Sequence, residues 1–151
     1  MRKESRFRPS DLGEQGVRHE VNVFVFRRSP EGPEYLLLRP STQPDSLWRP
    51  VVQAIGHHED LSGAARRAVQ LEVGLREAFD LLLPAAGVEE EVGDLHLVGW
   101  PVGYYLRRMP PRGPQRAAAQ LDWMGFDQAI QQLGLSVHRQ NLLQLHWQLA
   151  A

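Results

Sequence analysis

The sequence predicts an α+β domain, an α/β/α sandwich around a mixed β-sheet. Three observations predict it. Short runs of β-forming residues are joined by turn-rich connections. Helical stretches at 61–73 and 136–149 interrupt those runs without a regular βαβ alternation. The chain has 151 residues, 42% hydrophobic, with no cysteine. A chain of this length buries roughly 70% of its unfolded surface, enough for one core without disulfides.

Each element has its own justification. Residues 1–17 carry Arg2, Lys3, Arg6, Arg8, Pro9 and Gly13 without a period, and read as an N-terminal arm ahead of a single domain at 18–151. Val21, Val23 and Val25 alternate with Asn22, Phe24 and Phe26, a pattern that buries both faces of a strand. Ser29-Pro30-Glu31-Gly32-Pro33 makes the turn into a second strand, Tyr35–Arg39, and Trp48–Ile55 is the third. Asp60 is an N-cap for a helix over Leu61–Val73, with Gly74 as its C′ residue. Leu75–Leu83 reads equally as helix or strand. Leu95–Leu106 is extended, broken by Gly99 and Pro101, and 110–114 is a loop. A strand at Leu121–Met124, a helix at Asp127–Leu133 and a last helix from Ser136 to Leu149 follow. Leu142, Leu145 and Leu149 form the core stripe of that last helix, with Trp147 alongside.

Composition excludes several classes. Lys+Arg 17 against Asp+Glu 18 leaves a formal charge of -1, which argues against a dedicated nucleic-acid binder. No apolar run approaches the roughly 20 residues that span a bilayer, and the basic N-terminus lacks the apolar region of a secretory signal. A cytoplasmic, non-membrane protein is expected, with the arm as a candidate homodimer contact. Without cysteine there is no thiolate nucleophile and no cysteine zinc site.

From Gln53 to Leu75 the chain reads QAIGHHEDLSGAARRAVQLEVGL. This resembles the box of the Nudix hydrolases: Gly, five residues, Glu, seven residues, Arg-Glu, an apolar residue, any residue, Glu-Glu, any residue, Gly, an apolar residue. In one ungapped register Glu59, Arg67, Val69, Glu72, Gly74 and Leu75 match. A preceding hairpin, Trp48 and the WMGFDQA stretch at 123–129 also resemble the family, over residues 19–150.

The resemblance implies a Nudix-like sandwich, and a pyrophosphohydrolase in which Mg²⁺ or Mn²⁺ is held by helix carboxylates against a nucleoside diphosphate linked to another group. Carried over residue by residue, it makes Glu59 and Glu72 the metal and catalytic carboxylates and Arg67 their orienting partner. Three box positions depart from the pattern: Gln53 stands at the leading Gly, Ala68 at the Glu after Arg67, and Leu71 at the first of the paired Glu. Positions 68, 71 and 72 share one helical face. That face reads Ala, Leu, Glu where active relatives present three carboxylates, so any metal is expected to bind weakly.

Other residues could complete a site. Glu89, Glu90 and Glu91 read as a loop that supplies a replacement carboxylate or as a solvated charge run. His57 and His58 are adjacent in a loop, a poor geometry for one ion. Arg27, Arg28, Arg39 and Arg49 lie at strand ends, where they meet phosphates or solvent. Trp48 stacks a base or joins the core, and the same alternatives hold for Trp100, Tyr104 and Tyr105. The leading expectation is a Nudix-type domain for a nucleotide-like small molecule with weakened or lost hydrolysis. The alternative is an active enzyme, similar to the dihydroneopterin-triphosphate and dATP pyrophosphatases, that uses compensating carboxylates.

Overall fold

A computed structural model describes residues 16–40, 43, 45–84, 86–107 and 119–150. Most of the N-terminal arm and the 110–114 loop lie outside the described residues. In chain order the elements are β1 (Val17–Ser29), β2 (Gly32–Pro40), β3 (Val51–Ala54), α1 (Leu61–Glu72), β4 (Asp80–Leu82), β5 (Val88–Val92), β6 (Leu95–Tyr105), β7 (Ala119–Gly125), α2 (Phe126–Gln132) and α3 (Ser136–Ala150).

The strands form one seven-stranded mixed sheet in the order β4-β6-β1-β2-β7, with β3 also on β1 and β5 also on β6. β1 and β6 run parallel, from Val17 opposite His96 to Phe26 opposite Tyr105, and the other pairings are antiparallel. All of His19 to Phe26 is buried, as expected of a strand covered on both faces. Val21, Val23 and Val25 turn toward α1, where Ala64, Ala65, Ala68 and Val69 complete one core. Phe24 and Phe26 turn the other way, onto Leu133 and α3 residues Leu142 and Leu145. A sheet with a helical layer on each face is the predicted α/β/α sandwich.

Several boundaries differ from expectation. Leu95–Leu106 is not broken: β6 runs through Gly99 and Pro101 as a central strand. Pro101 falls between the segments that pair with β5, ending at Gly99, and with β4, beginning at Gly103, so on that edge its missing N–H costs no ladder bond. Glu89–Glu91 is not a loop but the middle of β5. The third strand shortens to β3, with Arg49 reaching β2 only through an isolated bridge to Leu38. Of the ambiguous stretch 75–83, only Asp80–Leu82 is regular, as β4. Leu142 and Leu145 are buried as read, whereas Trp147 is 68% exposed and stands outside the core stripe.

Candidate functional site

The site is built where β3 hands the chain to α1. Asp60 caps the helix through its carboxylate, which accepts from the Gly63 N–H at 2.7 Å. Just before it, the Gly56 N–H donates to Glu59 Oε1 at 2.7 Å, folding the loop back on itself. A Cβ at position 56 would sit 2.9 Å from that oxygen, so a side chain there would have to shift the Glu59 carboxylate. Arg67, on α1, reaches the loop from the other side. Its Nε donates to Glu59 Oε2 at 2.7 Å, and its Nη2 donates to Glu59 Oε1 and to the Ala54 carbonyl, both at 2.8 Å. Arg67 is therefore directed at Glu59 and at a carbonyl just ahead of the loop. Hydrogen bonding from Arg67, against a smaller desolvation cost, holds the Glu59 carboxyl below its usual range, and the same bond raises Arg67.

Glu72 is engaged separately. Arg49 Nη1 donates to its Oε1 at 2.7 Å and to the Pro50 carbonyl at 2.9 Å, and the Gln53 amide donates to its Oε2 at 2.5 Å. The Glu72 side chain is only 13% exposed, so this is a sheltered pair. Arg49, Val51 and Gln53 alternate along the chain, and alternation along a strand puts such residues on one face. Val51 lies in the core beneath α1. That alternation could have linked Arg49 to Gln53 from the sequence. From the sequence, Gln53 is only a departure from the box and Arg49 only a strand-end cation for phosphates or solvent.

These residues do not fit a divalent cation. Both oxygens of Glu59 and both oxygens of Glu72 are bonded to groups of the chain itself. Among the described residues no group of three His, Asp or Glu side chains is arranged to hold a metal ion. The expected ligand face is also divided. Ala68 is fully buried in the core and Leu71 is 60% exposed, leaving Glu72 alone on the rim between them.

The other candidate residues are held elsewhere. Arg27 pairs with Glu34 at 2.8 Å and lies over the Trp123 ring. Arg39 donates to Gln120 at 2.9 Å and covers the ring of Trp48, which is buried in the core on the α2–α3 side. Trp48 is thus packed into that core, and Trp100 and Tyr104 are fully buried. Glu89 and Glu91 both turn to His96, at 2.7 and 2.5 Å from its two ring nitrogens. Their hydrogen bonds raise the His96 pKa, Glu91 contributing most. His57 and His58 are exposed in the loop before α1. A buried polar join beneath α3, for which the sequence carries no local signal, links Asn141 Nδ2, which donates to Asn22 Oδ1 at 2.7 Å, and Asn22 Nδ2, which donates to Glu20 at 3.0 Å.

No family model matches the sequence, and no curated protein does. Solved structures do match. The dihydroneopterin triphosphate pyrophosphohydrolase of E. coli superposes with a TM-score of 0.72 at 17% identity, over 95% of this chain and 98% of that one. The Nudix domain of Shewanella oneidensis NrtR, solved with ADP ribose, gives 0.67 at 16% identity, over 95% and 94%. The Ap4A hydrolase of C. elegans, in a binary complex, gives 0.66 at 20% identity, over 89% and 98%. The fold is the Nudix fold, as the box at 53–75 implied.

Proposed function

We propose that this Nudix-fold domain takes a nucleoside-diphosphate-type ligand and that its pyrophosphohydrolase activity is weakened or lost. One observation carries the second half: the carboxylate that remains on the box helix, Glu72, has both oxygens bonded by Arg49 and Gln53. A metal in such a site polarises phosphoryl oxygen and generates hydroxide from water. A loss of about 4 kcal/mol of that stabilisation lowers a rate roughly a thousandfold. The ligand class is supported by the fold shared with proteins solved with ADP ribose and named for Ap4A.

The test is titration of the purified chain with ADP-ribose, dATP and dihydroneopterin triphosphate, with and without Mn²⁺, following heat of binding and release of phosphate or pyrophosphate together. Binding with little or no turnover is the expected result. Robust hydrolysis that requires the metal and disappears in Glu72→Gln, or on changing one of Glu89, Glu90 and Glu91, would establish instead an active enzyme with compensating carboxylates.

A further inference from the structure

We propose that Arg49 is the resident cation of this site: its guanidinium, fixed by Glu72 and steadied by Gln53, stands where a divalent ion would, and receives the phosphates of a nucleotide directly. The second half rests on the ligand class proposed above; the first half does not.

The charge balance agrees with this assignment. Three carboxylates on one helix face need multivalent cations to coexist, whereas Ala68, Leu71 and Glu72 leave a single negative charge. One guanidinium 2.7 Å from Glu72 neutralises it. Any cation added to Glu72 would have to displace Arg49 and Gln53 and would meet the repulsion of Arg49. The box departure at Gln53 then gains a purpose. Where glycine would leave the second oxygen of Glu72 open to a ligand, the Gln53 amide closes it at 2.5 Å.

The donor arithmetic shows what Arg49 still offers. A guanidinium carries five N–H donors in one plane. Nη1 uses its two on Glu72 and the Pro50 carbonyl, and among the described residues Nε and Nη2 make no hydrogen bond. The side chain is 36% exposed, so these donors are accessible while the group is anchored at its other edge. A fixed planar fork of this kind matches two oxygens of a phosphate. Arg67 does not compete for the role, because its Nε and Nη2 are spent on Glu59 and the Ala54 carbonyl.

The experiment uses the full chain and two probes, Mn²⁺ followed by electron paramagnetic resonance and ADP followed by calorimetry. Wild type should bind no Mn²⁺ at low millimolar concentration. The double variant Arg49→Ala, Gln53→Gly should gain one Mn²⁺ site, and adding Glu72→Gln should remove it. Arg49→Lys, which keeps the charge, should still exclude the ion, and a cooperative thermal melt of each variant shows that it is folded. ADP should bind wild type equally in EDTA and in Mg²⁺, and at least tenfold more weakly to Arg49→Ala. A wild-type Mn²⁺ site lost in Glu72→Gln, or no gain in the double variant, overturns the resident cation. If wild type excludes Mn²⁺ as expected but ADP binds Arg49→Ala as well as wild type, phosphate capture by Arg49 is overturned. If neither ADP nor the other nucleotides bind wild type, the proposed ligand class fails while the Mn²⁺ results still decide the resident cation.

Discussion

Arg67 and Glu59 meet as a two-pronged ion pair, Nε to Oε2 at 2.7 Å and Nη2 to Oε1 at 2.8 Å, tying the middle of α1 to the loop before it. Arg67→Ala would leave the half-buried Glu59 carboxylate with the Gly56 N–H and without its cation, and would strip the Ala54 carbonyl of its donor. The expected loss is about 1–2 kcal/mol of stability, at the lower end of charged hydrogen bonds because both groups are partly solvated. Arg67→Lys should recover less than half of it, since an ammonium cannot grip two oxygens in one plane. Urea unfolding midpoints of the three proteins measure the difference.

Acid should act through the same pair. Glu59 is held below its ordinary 4.5 chiefly by Arg67. Its contribution to stability is complete above that ordinary value and is lost as pH falls through the lower folded value. The drop in the urea midpoint between about pH 5 and about pH 2 should therefore be smaller in Glu59→Gln than in wild type. An equal drop in both proteins would assign acid sensitivity to other carboxylates.

His96 works in the opposite direction. Glu91 and Glu89 raise it above its ordinary 6.5, so its contribution is complete below that value and fades as pH rises through the raised one. The imidazole resonances of His96, followed by nuclear magnetic resonance, should titrate above the ordinary value in wild type. They should move back toward it in Glu91→Gln and further in the Glu89→Gln, Glu91→Gln double variant.

Restoring the two missing box carboxylates should have unequal costs. Leu71 is 60% exposed, and Leu71→Glu should change stability by less than about 0.5 kcal/mol. Ala68 has no exposed surface and lies among Val69, Val51 and Ala64, so Ala68→Glu should cost about 2 kcal/mol or more through overpacking and charge burial. Thermal melts of the two single variants would show the asymmetry, and equal melting temperatures would refute it.

Gly99 gives a sharper test of the face beneath α3. A Cβ there would lie 2.6 Å from Asn22 Oδ1 and 2.8 Å from Asn141 Nδ2, the two atoms of a buried hydrogen bond. Gly99→Ala should part them and leave buried polar atoms unpaired, at a cost of about 2–3 kcal/mol. Denaturant unfolding of this variant should show the loss, and Asn141→Ala on top of it should add little because the bond is already broken.

The box helix was readable because its signals are local: Asp60 to cap it, Gly74 to end it, and no proline between them. The double burial of β1 was equally plain in its alternating valines and phenylalanines. β6 was harder, since Gly99 and Pro101 are breakers by propensity: the gap between β5 and β4 accommodates Pro101 in a central strand, and the Asn22–Asn141 bond lies so close to Gly99 that a side chain has no room there. Three identical letters at 89–91 hid a period of two that sends Glu89 and Glu91 to His96 and Glu90 to the other face. In the site, the Arg67–Glu59 contact followed from the motif's register. The Arg49–Glu72–Gln53 contact did not, because it joins positions far apart in the chain, one of which looked only like a missing glycine.

The parallel pairing of β1 with β6 sets the order in which this chain can fold. β1 is made first, yet the strand that covers it from Val17 to Phe26 on one side is made only after β2, β3, α1, β4 and β5. Closing so long a loop is an entropic barrier, and domains ruled by such distant pairings fold in roughly milliseconds to seconds rather than microseconds. Until β6 arrives, Val21 to Phe26 presents an open edge with apolar side chains on both faces, the kind of surface on which nascent chains associate. A ribosome-bound fragment ending before Leu95 should therefore need a chaperone that the finished domain does not.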